Sequence, residues 1–192
     1  MGKEFELKYA ATASVQAALR EAYGPWTAIT METTYFDTPD GALSARRMTL
    51  RLRKENDATV CTLKTPLADG SRGEWECTAV NVLDGIAALI ASGAPKELQQ
   101  WTQNGVTPCC GARFLRLATQ IPTADGMAEL ALDSGVLLGG GKEMPLCEVE
   151  IELKSGSEAA TVALASQIAA RYQLTEEAKS KFRRALSLAQ GE

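Results

Sequence analysis

From Glu4 to Lys8 the chain alternates strictly, with Glu4, Glu6 and Lys8 on one parity and Phe5 and Leu7 on the other. Successive side chains of a strand point to opposite faces, so this pattern predicts a strand with one charged and one apolar side. The same period of two recurs along the chain. Arg51 and Arg53 alternate with Leu50 and Leu52, Thr62 and Lys64 share a parity, and Arg72, Glu74 and Glu76 form a row in RGEWE. Glu129 and Asp133 make a looser row. Glu148, Glu150 and Glu152 make the densest, against Val149, Ile151 and Leu153 on the other side. Eight strands are predicted, joined by turns such as DTPDG, KENDA and PTADG, with GGGK read as a hairpin turn because it lacks the spacing of a phosphate loop.

Helical spacing appears between these strands. SVQAALREAYG predicts a first helix stopped by Gly24 and Pro25, and the stretches 82–92 and 95–101 predict two more. SEAATVALASQIAARYQL is amphipathic, with Glu158 near its start and Arg171 near its end, as the helix dipole favours. A final helix is predicted from about Glu176 to Leu188. Every strand has an apolar face to bury and the helices can cover those faces, so the charged faces are expected to converge inward. A sheet closing into a barrel would do this and remove its unpaired edges. The expected fold class is α+β, a single domain over residues 1–192 built as an eight-stranded antiparallel closed barrel with its helices packed outside.

Composition narrows the chemistry. Of 192 residues 45% are apolar and 23% charged, the net charge is -4, and there is no histidine. These values fit a globular chain and argue against a general affinity for nucleic acid or an anionic membrane. No apolar run is long enough for a membrane helix and no leader pattern opens the sequence, so a cytoplasmic protein is expected. The five cysteines contain no CxxC pair and are read as small buried residues. The lack of histidine removes Ser/His and Cys/His nucleophilic catalysis. Carboxylates converging in a confined space repel one another unless a cation intervenes, and glutamate oxygens suit Mg²⁺ or Mn²⁺. Arg and Lys in the same space suit a polyanion, and the combination is that of a phosphoryl-transfer site.

The ordered motifs EFELK, YFDTPDGAL, LRLRKEN, TLK, RGEWE, ALDSG, CEVEIELKSG and SKFRRAL resemble the CYTH superfamily, the triphosphate tunnel metalloenzymes, and look most like its bacterial inorganic triphosphatases. The resemblance runs over essentially the whole chain. It implies a metal-dependent hydrolase that splits inorganic triphosphate into pyrophosphate and phosphate, a small-molecule substrate, and Mg²⁺ or Mn²⁺ as cofactor. Glu4 and Glu6 match the opening metal-binding glutamates and Lys8 a phosphate-contacting lysine. Arg51, Arg53 and Lys64 match basic substrate contacts, with Arg72 beside them and Glu74 helping to order the metal. Glu148 and Glu150 match the late paired glutamates, with Asp133 near them and Glu152 in reserve. Glu4, Glu6 and Glu150 are the catalytic candidates. Lys181 and Arg184 match basic residues that must reach the tunnel mouth. Arg113 and Arg116 are three apart, so only one can face inward; Arg113 is preferred and Arg116 left on the surface. A class IV adenylyl cyclase or a thiamine triphosphatase would use the same tunnel, and a non-catalytic polyphosphate or nucleotide binder is the reading from another class. Trp26, Tyr35 and Trp75 are read as packing residues.

Overall fold

A computed structural model of the chain describes residues 2–67 and 72–191, and the side chains of residues 5–67 and 72–191. The strands are β1 (Gly2–Glu4), β2 (Glu6–Ala10), β3 (Thr27–Asp37), β4 (Thr49–Glu55), β5 (Ala58–Pro66), β6 (Arg72–Thr78), β7 (Thr107–Pro122), β8 (Met127–Gly139), β9 (Lys142–Ser155) and β10 (Thr175–Glu176). The helices are α1 (Ala13–Ala22), α2 (Ala42–Ala45), α3 (Val82–Ala91), α4 (Glu97–Trp101), α5 (Glu158–Tyr172) and α6 (Lys181–Gln190). No helix among the described residues is long and apolar enough to cross a membrane.

All strands belong to one antiparallel sheet in the order β1-β6-β5-β4-β3-β7-β8-β9-β2-β10. The class is α+β as expected, but the closed eight-stranded barrel is corrected. The opening strand divides at Phe5: its first half pairs with β6 and its second half with β9. The ladder is therefore open, and its two sides meet through the covalent chain rather than through a row of hydrogen bonds. A further short strand, β10, pairs with β2 where the last helix was expected to have begun. That helix starts five residues later, at Lys181, where the Ser180 hydroxyl accepts from the Arg183 amide and caps it.

Two apolar cores lie on the outer face. Leu50, Cys61, Leu63 and Trp75 pack beneath α3 and α4, and Leu130, Leu132, Val149 and Ile151 beneath α1 and α5. These are the apolar parities of the alternating strands, so period two has become inside and outside as expected. One helix departs from the expectation that all lie outside. α6 packs on β7, β8 and β9 from the inner side, where Phe182 and Ala185 join Tyr35, Phe114, Leu137 and Leu146. It belongs there because its Lys181 and Arg184 meet carboxylates of the inward parity.

Candidate active site

The inward faces of the strands enclose a cavity of about 500 Å³, within the size range of small-ligand sites. One wall is basic: Arg51 and Arg53 from β4, Lys64 from β5 and Arg72 from β6 line it, interleaved with Glu55, Glu74 and Glu76. The opposite wall is mainly acidic: Glu6 from β2, Glu129 from β8, and Glu150 and Glu152 from β9 line it, together with Lys8 and Lys154. Between them run β3 and β7, which contribute Met31, Tyr35 and Arg116.

The ion pairs that Arg51 and Arg53 make with described residues are long, and that between Lys64 and Glu74 is only a little shorter. Arg51 lies 3.8 Å from Glu74 and 3.5 Å from Glu76, Lys64 3.3 Å from Glu74, and Arg53 3.8 Å from Glu55. Arg53 is only 6% exposed, and its one short contact is neutral, from Nε to Thr33 Oγ1 at 2.9 Å. Burial, and then the neighbouring Arg51, lower its guanidinium to about 10. Arg51 Nε is buried with no hydrogen-bond partner among the described residues. Buried donors are nearly always satisfied. An anion entering the cavity would supply what this wall lacks.

Below the acidic wall lies a second constellation. Asp133, Glu148 and Glu150 bring carboxylate oxygens within 4.8 Å of one another, close enough to hold a metal ion. The ammonium of Lys181 stands among them, 2.8 Å from Asp133, 2.6 Å from Glu148 and 2.6 Å from Glu150. Arg116 donates to both Asp133 oxygens, at 2.8 and 2.7 Å, and to Glu150, while Arg184 pairs with Glu148. Three negative and three positive groups thus balance. Burial would raise the Glu150 carboxyl, but Lys181 and Arg116 outweigh it and hold it well below the carboxylate range. Burial would likewise lower Lys181, yet Glu150, Asp133 and Glu148 together raise it above an ordinary lysine. The Phe114 ring lies beneath this group, 5.4 Å from Lys181 Nζ, 6.0 Å from Arg116 and 5.7 Å from Arg53.

The structure brings Glu6, Lys8, Arg51, Arg53, Lys64, Arg72, Glu74, Glu150 and Lys181 to one cavity. The Glu4 side chain lies outside the described ones. Asp133 and Glu148 are fully buried and engaged by cations of the chain rather than lining the cavity. Arg184 reaches the same cluster rather than the cavity. Arg113 and Arg116 exchange the positions expected of them. Arg116 pairs across the sheet with inward-facing Asp133, which fixes its parity, whereas Arg113 points outward to Glu143 at 2.7 Å with both side chains 55% exposed. Register also promotes the reserve residue: Glu6 faces Glu152, which faces Glu129 on its other side, so three carboxylates form one row across β2, β9 and β8. Among the described residues, Lys154 stands 2.9 Å from Glu152 and Lys8 3.9 Å from Glu6.

Sequence reasoning passed over Glu129 and Lys154 as site residues, although their parity with Asp133 and Glu152 was visible. It also missed Gln16. This buried amide on α1 donates from Nε2 to the Asp133 and Glu148 carbonyls, at 3.0 and 2.8 Å, and accepts from the Ser134 hydroxyl. Nothing in the helical pattern distinguishes it from a surface residue.

Comparison with known proteins fits this arrangement. An inorganic triphosphatase from Haemophilus influenzae is 29% identical over 166 residues, 82% of this chain but 47% of that protein, so the chain spans about half the length of this relative. Among solved structures, a protein from Bacillus halodurans described as an adenylate cyclase candidate superposes with a TM-score of 0.64 at 20% identity, covering 96% of this chain and 98% of the other. A Hippeastrum protein described as an adenylyl cyclase candidate with a dominant triphosphatase activity superposes with a TM-score of 0.63 at 18% identity, covering 98% and 96%. At these identities the two structures speak for the fold alone. The model of the CYTH domain matches residues 2–186. With inward charged rows around a central cavity and a family match spanning nearly every residue, the chain belongs to the CYTH family.

Proposed function

We propose that the chain is a metal-dependent inorganic triphosphatase, cleaving triphosphate to pyrophosphate and phosphate with Mg²⁺ or Mn²⁺. The observation that carries this reading is the contrast within one cavity, where a basic wall holding the loosely paired Arg51 and Arg53 faces a row of carboxylates. Arg51, Arg53, Lys64 and Arg72, with Lys8 from the far wall, would hold phosphate oxygens, the arginines through planar forks and the lysines as point charges.

The donor chemistry of the cavity wall suits a hard divalent ion, while among the described residues the oxygens that already converge closely enough to hold one are those of Asp133, Glu148 and Glu150. Glu6, Glu152 and Glu129 offer only oxygen ligands, are neighbours in register and line the cavity. Glu4 would join them as the opening motif implies, and Glu74 would order the ion from the basic side. The Asp133, Glu148 and Glu150 group is also the right chemistry, but the Lys181 ammonium is held at its centre, which gives that group a supporting role. A divalent ion held by the cavity-wall carboxylates would supply positive charge beside the phosphate oxygens and would make a nearby water more acidic. The chain's own part is to align the substrate between the walls and to accept the proton. With no histidine, that proton goes to a carboxylate of the cavity wall. Glu150 is a poor acceptor because its cations hold it ionised.

The inorganic substrate is favoured over an organic triphosphate by the aromatic residues. Tyr35 and Phe182 line the cavity, but their rings pack against each other with centroids 5.1 Å apart rather than presenting a platform for a base. Trp75 lies in the outer core and Trp26 packs against the core beneath α1 and α5. The test is phosphate release from inorganic triphosphate, ATP and thiamine triphosphate, each with Mg²⁺, Mn²⁺ or EDTA. Fast release from inorganic triphosphate, lost in EDTA, is expected. Faster turnover of ATP or thiamine triphosphate would transfer the reading to an organic substrate, and binding without release would make the cavity a sensor.

A further inference from the structure

Beside the tunnel lies a second cavity of about 480 Å³, and its charge is of a different kind. Arg47, Arg72, Lys179 and Arg183 line it, and none of the described residues around it is acidic. The tunnel, by contrast, mixes both signs on its walls. The two spaces adjoin, because Thr49, Arg72, Ala178, Ser180 and Phe182 line both. Arg72 stands at the boundary, with Nη2 3.2 Å from Thr49 Oγ1 and 3.4 Å from the Arg47 carbonyl oxygen. Arg183 lies in the first turn of the ten-residue helix α6, whose positive dipole end adds to the field there.

We propose that this chamber takes the part of a linear polyphosphate that extends beyond the three phosphates held in the tunnel. The inference rests on the triphosphatase reading for the tunnel itself and extends it to longer chains. Because its described lining offers cations and no carboxylates, the chamber attracts phosphate oxygens without recruiting a divalent ion. Its contribution to binding is therefore independent of metal. Arg47, Lys179 and Arg183 are exposed, so that contribution is also screened by salt. The volume and the shared wall let one unbranched chain pass from the tunnel past Arg72, whereas an anion too short to span the boundary gains nothing from the chamber.

The experiment is titration calorimetry of the full chain in EDTA, where metal-dependent hydrolysis does not intrude, with tripolyphosphate and with a longer linear polyphosphate of defined length. The longer chain is expected to bind roughly tenfold tighter, the size of one charge-assisted hydrogen bond. The double variant Arg47→Glu, Arg183→Glu should remove that gain and leave tripolyphosphate binding in place. Arg183→Glu places a glutamate three residues after the Ser180 cap, a favourable capping pattern, so α6 is retained. Equal affinity for the two lengths, or a loss for both in the variant, overturns the chamber. Phosphate release from tripolyphosphate with Mg²⁺, measured in parallel, separates the two readings. Release without a length effect defeats the chamber alone, and a variant-sensitive length effect without release upholds the chamber while defeating the triphosphatase.

Discussion

Arg53 and Lys181 are equally hidden, at 6% and 7% exposure, yet their proton affinities move in opposite directions. Burial disfavours the charged form of both. Lys181 overcomes it because three carboxylates approach its ammonium within 2.8 Å. Around Arg53 the nearest carboxylate is Glu55 at 3.8 Å, and Arg51 and Arg116 add repulsion. Two buried cations on one inner face thus have different surroundings: the chain supplies close counter-ions for Lys181 and only a distant one for Arg53, which the proposed substrate would complete. The first arrangement holds α6 to the sheet. The second is the arrangement that the proposed function assigns to substrate.

Removing Lys181 should therefore have the largest effect. Lys181→Met leaves three carboxylates against two arginines, and breaking a buried ion pair in this way costs about 3–5 kcal/mol. Urea denaturation should show that loss. Mg²⁺ or Mn²⁺ should restore part of it in the variant and less in the parent chain, because the same oxygens can then hold the ion. A variant as stable as the parent would erase the distinction between the two regions.

The two ends of the glutamate row on β9 should separate next. Glu152→Gln removes a charge from the cavity wall and should lower metal-dependent phosphate release by about a hundredfold, the upper end for a group that supports a metal site, with the unfolding midpoint little changed. Glu148→Gln should do the reverse, weakening the fold because Arg184 and Lys181 lose a buried partner. If Glu148→Gln proved the more damaging to turnover at full stability, the catalytic ion would belong to the buried cluster.

What the sequence disclosed and what it hid divide along a physical line. Parity is local, so the inward sides of Glu6 and Lys8, Arg51 and Arg53, and Glu150 and Glu152 were readable from alternation alone. Register is not local. Whether Arg113 or Arg116 faced inward depended on which β8 residue stood opposite, and Asp133 decides it. The pairing of Glu6 with Glu152 likewise appears only when β2 is laid on β9. The side of the sheet chosen by α6 was hidden for another reason. Its apolar stripe of Phe182, Ala185, Leu186 and Ala189 would suit either face, and only the partners of Lys181 and Arg184 select the inner one. Gln16 was silent because its work is done on carbonyl groups remote in sequence. The break at Phe5 reflects two diverging edges, a property of the whole sheet rather than of the five residues around it.

Arg53 offers a smaller but more direct test of the comparison. Arg53→Met removes a buried charge that the chain compensates poorly, so stability should be unchanged or slightly raised, as when buried ions give way to apolar side chains. Triphosphate affinity should fall roughly tenfold, the loss of one charge-assisted hydrogen bond. A loss of stability comparable to that of Lys181→Met would mean that Arg53 too is structural.

The pH dependence of binding follows from the same residue, and its sign can be worked out. In the ligand-free chain burial and the neighbouring Arg51 lower the Arg53 guanidinium to about 10. A triphosphate beside it would favour the charged form, so the complex keeps the proton to higher pH. Affinity should then be level with respect to Arg53 below about 10 and decline as pH rises through that value, by at most about tenfold per pH unit for one proton. The fold should survive the measurement. Because Lys181 is raised in the folded state, its contribution to stability is fully present below the ordinary lysine value of about 10.4 and is lost only as pH climbs through the higher folded one. Calorimetric titrations across this interval, with circular dichroism as the control, should show a steeper decline in the parent chain than in Arg53→Met, where only the cavity lysines remain to lose protons. A decline of equal size in both chains would place the titrating group elsewhere and leave Arg53 without its role as the incompletely paired cation of the cavity.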